Sequence, residues 1–145
     1  MTTEPIYKIP CVSLLPFRMG EVLMLRKRET KRWEFPGGKQ EGYETTRGCA
    51  ARELLEETGI ELGDSSLHLL GTWENEFRRS PRRLPPYICQ FYLTRVRDGQ
   101  EAIVGEPDKF DGAEWVRPEL IVTSTLQGPA LAALEMLEQK HPYMF

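Results

Sequence analysis

The chain has 145 residues, 40% of them hydrophobic and 28% charged, with 19 Lys and Arg against 22 Asp and Glu for a formal net charge of −3. That is one domain's length with enough apolar matter for a core, which excludes a disordered or fibrous chain. The charge balance gives no basic coat for DNA or a membrane surface, and no apolar run reaches the roughly 18 residues of a membrane span.

Cys11, Cys49 and Cys89 are odd in number and form no C-x-x-C pair. This argues against a disulfide framework or structural zinc and for a reducing compartment. The two histidines, His68 and His141, exclude a His-rich metal site. Met1–Pro10 carries neither a basic nor an apolar signal region. The expectation is a single cytoplasmic domain over residues 1–145, monomer or homodimer, with no membrane partner.

In chain order, Ile6–Leu15 is apolar and interrupted by Pro10 and Pro16, which suits an edge strand or two short ones. Phe17–Gly20 reads as a turn into a buried strand, Val22–Leu25, ended by the basic cluster Arg26-Lys27-Arg28. Trp33–Phe35 is a short extended piece stopped by Pro36-Gly37-Gly38, where the backbone turns tightly or lets a ligand come close. Thr45 or Thr46 caps a helix running to Thr58, with Gly59 just past its end. Leu67–Phe77 and Tyr87–Val96 have strand composition, and Tyr87, Phe91 and Tyr92 read as sheet packing rather than base stacking. Trp115-Val116 suggests one more short strand, and Leu126–Lys140 an amphipathic helix by its three-and-four spacing. The order of elements gives an α+β domain with a mixed β-sheet between helices.

The helix over 45–58 carries the chemistry. At about 3.6 residues per turn, Glu53, Glu56 and Glu57 point at one patch, while Ala51, Leu54 and Leu55 fall on the opposite face, expected against the sheet. Like charges so spaced repel, and a hard divalent cation relieves them; Mg²⁺ is the available one, with Mn²⁺ as substitute. Arg52 is placed to pair with Glu56 or to steer Glu53. A bare Glu-rich face is most often a solvated surface, so the surroundings decide.

From Gly38 the chain gives five residues, Glu44, seven residues, then Arg52-Glu53-Leu54-Leu55-Glu56-Glu57-Thr58-Gly59-Ile60. This resembles, at all its specified positions, the signature of the Nudix hydrolases, G-x5-E-x7-R-E-U-x-E-E-x-G-U, where U is aliphatic. The resemblance implies an α/β/α sandwich and hydrolysis of a nucleoside diphosphate linked to another group. It implies a metal held by Glu53, Glu56, Glu57 and the Gly37 carbonyl, with Arg52, Glu53 and Glu44 in the catalytic group. Trp33–Lys39 looks like the entry segment of the MutT-like nucleoside triphosphate pyrophosphohydrolases, and Gly105–Trp115 like an acidic loop of that branch. In that loop Asp111 takes the place of a catalytic or metal-binding Glu, with Glu106 in reserve.

Substrate contacts are expected from Phe35 and Gln127 at the base and from Gly38, Lys39 and Arg26 along the phosphates. Gln127 stands where the guanine-preferring relatives carry Asn. The arginine-rich stretch Arg78–Pro86 reads first as a solvated loop and second as a polyphosphate lid or an RNA contact. The expected activity is Mg²⁺-dependent cleavage of a (deoxy)nucleoside triphosphate to the monophosphate and pyrophosphate. The alternatives are ADP-ribose, a nucleotide sugar, a dinucleoside polyphosphate or an RNA 5′ end, with a silent nucleotide sensor behind them. The charge supports this reading. Residues 41–61 hold six acids and two arginines, a local −4 against +1 for the remainder.

Overall fold

A computed structural model describes residues 8–63, 67–75 and 86–141. Its elements in chain order are β1 (Ile9–Arg18), β2 (Glu21–Lys27), β3 (Trp33–Glu34), β4 (Gly37–Lys39), α1 (Thr46–Thr58), β5 (Leu67–Glu74), β6 (Tyr87–Arg95), β7 (Phe110–Val116) and α2 (Ala130–Lys140). The strands form one mixed sheet in the order β3-β2-β1-β6-β5, with β4 also pairing β1 and β7 pairing β2. Among these strand pairs β1–β6 is parallel and the others are antiparallel.

Alternation along the strands divides the core between the two helices. Leu15, Val22, Met24, Phe91 and Leu93 pack with Ala130, Ala133, Leu134 and Leu137 of α2. Val12, Leu14 and Leu23 pack with Cys49, Ala50 and Leu54 of α1. The expected α/β/α sandwich is therefore the observed one.

Three element expectations need correction. β1 is internal, with β6 on one side and β4 and β2 on the other. The prolines are tolerated because N–H groups alternate sides along a strand. Leu14 N–H donates to Pro36 O and Gln40 N–H to Pro10 O, so the even-numbered residues face β4 and β2. Pro10 and Pro16 thus fall at or beyond the ends of short β4, and the β6 ladder never needs their missing N–H. The last strand is Phe110–Val116 rather than two residues, because it pairs along β2 from Val22 to Lys27. The last helix begins at Ala130, after Gly128 in the left-handed region at φ +54 and Pro129, not at Leu126.

β1 and β2 separate beyond their hairpin, and the segment 33–39 wedges into the gap. Glu34 pairs with Leu25 on the β2 side, while Gly37, Gly38 and Lys39 pair with Ser13, Val12 and Cys11 on the β1 side. The wedge fixes where the glycines meet α1. No helix among the described residues is long and apolar enough to cross a membrane. Residues 78–85, most of the arginine-rich stretch, lie outside the described residues.

Candidate active site

Helix α1 begins and ends where local chemistry sets it. Thr45 accepts the Gly48 N–H at 3.0 Å as the N-cap, and Gly59, at φ +75, returns its N–H to Leu55 O. Its buried face, however, differs from the expected one. Leu54 is buried, but Leu55 is 49% exposed, and Glu53 and Glu57 are 8% and 0% exposed. Glu53 faces inward because Gly38 leaves room for its carboxylate, and Glu57 because the Gly37 N–H donates to it. A Cβ on Gly38 would collide with the Glu53 carboxylate, and one on Gly37 with the Val12 carbonyl.

Each carboxylate in this patch is paired, most of them with one shared arginine. Glu57 Oε1 accepts the Gly37 N–H at 2.7 Å, and its Oε2 lies 3.4 Å from Lys109 Nζ. Arg52 gathers the others: Nε and Nη2 donate to Glu44 at 2.7 and 2.8 Å, and Nη1 to Glu53 at 2.9 Å and Glu56 at 3.3 Å. Arg52 Nη2 also donates to the Lys39 carbonyl at 3.2 Å, tying the helix to β4. Glu44 in turn accepts the Glu41 N–H at 2.9 Å. One guanidinium thus spans three carboxylates that the sequence separates by as many as 12 residues.

The electrostatics follow from burial and these contacts. Burial pushes the Glu57 carboxyl up to about 8, against the opposing pull of the Gly37 N–H and Lys109. Burial also raises Glu53, partly offset by Arg52. The Arg52 hydrogen bonds hold Glu44 down at about 2, and Glu44 above all keeps Arg52 charged. Burial opposes the charge on Lys109, but Glu57, Glu34 and Glu106 together outweigh it. Among the described residues no three His, Cys, Asp or Glu side chains are gathered closely enough to hold a metal ion as they stand. The hard oxygen donors expected for that role, Glu53, Glu56 and Glu57, lie within one turn of each other, and Arg52 and Lys109 are paired with them.

A cleft of about 540 Å³ opens beside this patch. Phe35, Gly37, Gly38 and Gln127 line it, as do Lys27, Glu34, Asn75 and Tyr87. Gln127 is brought there by a graft of the 124–127 segment onto β3. Its N–H donates to Trp33 O at 2.9 Å, and Arg32 binds the Ser124 and Leu126 carbonyls. Its amide oxygen accepts the Thr30 hydroxyl at 2.7 Å. Phe35 is both core and cleft wall, at 5% exposure. Lys39 is not among the lining residues; its Nζ lies 5.7 Å from the ring centroid of Tyr87, which is. Phe91 is core as expected, whereas Tyr87 faces the cleft.

Two expected site residues are engaged elsewhere. Asp111 is the extra residue of a β-bulge: Lys27 pairs with Phe110 and Arg26 with Gly112, leaving Asp111 between them. The bulge aims its carboxylate at Lys31 and at Arg26 Nε, the latter 2.7 Å away. These bonds, Lys31 first, hold Asp111 down at about 2. Arg26 also lies over the Trp33 ring, 5.7 Å from its centroid. No contact of Asp111 or Arg26 with the α1 carboxylates is found among the described residues. Lys27, which the sequence offered only within a basic cluster, lines the cleft instead of Arg26. Glu106, the reserve acid, is the one whose charge Glu57 and Lys109 sense. Glu34 has no role legible in the sequence, because a single acid on a short strand carries no spacing signal; Lys109 lies within the Gly105–Trp115 loop resemblance, which gives it no role of its own.

A glycine-cradled carboxylate helix thus lies beside a cleft of about 540 Å³, and comparison with known proteins gives the class, hydrolases of phosphoric anhydrides. The NUDIX domain model matches residues 8–137, so the chain belongs to the NUDIX family, in which it is MutT-like. It is 24% identical over 143 residues to a MutT-like protein of Streptomyces ambofaciens, covering 99% of this chain and 85% of that one. It is 31% identical over 116 residues to an RNA pyrophosphohydrolase of Pseudomonas aeruginosa, covering 71% of this chain and 72% of the relative. Its fold superposes on a MutT NUDIX hydrolase of Burkholderia pseudomallei with a TM-score of 0.78 at 24% identity, over 90% and 98% of the two chains.

Proposed function

We propose that this protein is a Mg²⁺-dependent pyrophosphohydrolase that converts a (deoxy)nucleoside triphosphate to the monophosphate and pyrophosphate. The observation that carries the reading is the position of Gly37-Gly38, which line the cleft on one side and receive the Glu53 and Glu57 carboxylates on the other. A triphosphate whose base lies against Phe35 and Gln127 then has its anhydride beside α1.

The donor set fits a hard divalent cation. Glu53, Glu56, Glu57 and the Gly37 carbonyl supply oxygen only, and burial raises the Glu57 carboxyl to about 8 despite the Gly37 N–H and Lys109, so its charged form calls for a further cation. When bound, such an ion polarises phosphate oxygens and acidifies water. Glu53 is the base that accepts the proton of the attacking water. The new P–O bond forms as the α–β anhydride breaks, and the displaced bridging oxygen leaves on the monophosphate or on pyrophosphate, according to which phosphorus is attacked. Arg52 holds the Glu53 carboxylate and Glu44 fixes Arg52, so both are positioning residues. Lys27, on the cleft wall, takes the phosphate role expected of Arg26, with Lys39 beside Tyr87 as a further cation. Asp111 braces Arg26 and Lys31 rather than joining the reaction.

A second reading, an RNA 5′-triphosphate end, is supported by the relatives that bear the name RNA pyrophosphohydrolase. Both are tested by incubating the protein and Mg²⁺ with a panel: the common and oxidised nucleoside triphosphates, ADP-ribose, a nucleotide sugar, a dinucleoside polyphosphate and a 5′-triphosphate oligoribonucleotide. Monophosphate plus pyrophosphate from a free triphosphate supports the first reading. Turnover of the oligonucleotide alone replaces it with the second, and two monophosphates from ADP-ribose contradict both.

A further inference from the structure

Lys109 is the one cation, among the described residues, in ion-pair contact with Glu57. Its Nζ lies 3.4 Å from Glu57 Oε2 and 5.0 Å from the Phe110 ring centroid. The loop that carries it is fastened to the last turn of α1. Ile103 N–H donates to Thr58 O and Gly105 N–H to Glu57 O, each at 2.9 Å. Gly105 approaches the Glu56 carbonyl so closely that a Cβ there would collide with it. From the other side Arg28 holds the loop, its N–H on Lys109 O and its Nε on Pro107 O, each at 2.9 Å.

These attachments create a second cavity of about 440 Å³, lined by Lys27, Arg28, Glu29, Asp108 and Lys109. Lys27 lines both this cavity and the nucleobase cleft, so one residue borders the two. A phosphate chain leaving the cleft past Lys27 would meet three cations, Lys27, Arg28 and Lys109, set among two carboxylates, Glu29 and Asp108, and Lys109 is already paired with a carboxylate of the expected metal set.

We propose that Lys109 is an exchangeable partner of Glu57: it pairs with that carboxyl when no cation is bound, and turns into the neighbouring cavity, beside Lys27 and Arg28, to hold the pyrophosphate end of the substrate when one is. The physical reason is that two cations at one carboxylate repel. A lysine ammonium on a flexible stem can leave where a forked guanidinium held at several points cannot. The metal and Lys109 thus compete for Glu57, while metal and phosphate bind cooperatively through it. This rests on the metal placement proposed above.

The test is to measure Mn²⁺ binding alone, by the resonance signal of the free ion, and inorganic pyrophosphate binding at saturating Mn²⁺, by calorimetry. Wild type, Lys109→Met and Lys109→Arg are compared, with thermal unfolding as a check on folding. Lys109→Met is expected to bind Mn²⁺ alone about threefold more tightly and pyrophosphate about tenfold more weakly. Lys109→Arg restores part of the pyrophosphate affinity. Unchanged constants, or both weakened together with a lower unfolding temperature, overturn the exchange and leave Lys109 a structural ion pair. A wild-type protein that binds no Mn²⁺ refutes the metal placement itself, an outcome distinct from a Lys109 variant that behaves as wild type.

Discussion

The two faces of the sheet are packed by opposite chemistries. Helix α2 presents Ala130, Ala133, Leu134 and Leu137 to an entirely apolar cluster with Leu70, Phe91 and Leu93. Helix α1 gives its face partly to Cys49, Ala50 and Leu54, but spends two buried positions on Glu53 and Glu57. Burying carboxylates is unfavourable unless they are paired, so α1 gives up packing that α2 keeps. One face holds the fold together, and the other holds charge in place for chemistry.

The comparison is broken most severely by neutralising the polar face. Glu53→Gln is expected to reduce turnover on the order of 10³-fold, with an unfolding free energy within about 1 kcal/mol of wild type; steady-state kinetics and urea unfolding check it. Next come the two glycines, which separate the faces from each other. Gly38→Ala pushes only the end of the Glu53 side chain aside, so it should cost about 10²-fold in turnover with little loss of stability. Gly37→Ala meets the Val12 carbonyl and Ser13 Cα, which are backbone, so it should cost about 1–3 kcal/mol of stability as well. The reciprocal break is Leu137→Ala on α2. It should cost about 2–5 kcal/mol while turnover per folded molecule stays at the wild-type value.

The smallest effect concerns the Asp111 bulge. Its carboxyl is held near 2, below its ordinary 3.8, so the stability it contributes is complete above that ordinary value and is lost as the pH falls through about 2. Asp111→Asn should flatten the acid limb of a stability profile between those values and leave the neutral-pH profile of turnover unchanged. A collapse of neutral-pH turnover would instead return Asp111 to the reaction.

How much of this was legible in the sequence depends on whether the signal was local. The bounds of α1 were, because Thr45 and Gly59 cap it through contacts three and four residues away. The spacing from Gly38 to Ile60 was too, because every specified residue lies on one turn-and-helix unit. The buried face of α1 was not. A helical wheel assigns leucines inward and glutamates outward, and only the glycines opposite, on a strand paired to β1, reverse Leu55 and Glu53. The internal place of β1 was hidden by Pro10 and Pro16, which read as edge signals until the alternation of N–H directions is known. The Arg26–Asp111 and Lys109–Glu57 pairs join residues 85 and 52 apart in the chain, so no spacing rule reaches them. Strand composition suggested Tyr87 as packing, but its position at the cleft depends on the β1–β6 register.

The most direct test of the division between the two faces is Glu57→Gln, measured for Mg²⁺-dependent turnover and unfolding midpoint in one preparation. The amide keeps the shape and can still accept the Gly37 N–H, while removing a charge whose burial raises its pKa to about 8. The account predicts turnover reduced on the order of 10³-fold with an unfolding midpoint equal to or above that of wild type. Turnover near the wild-type level, or a loss of activity that merely follows a loss of folded protein, would contradict it.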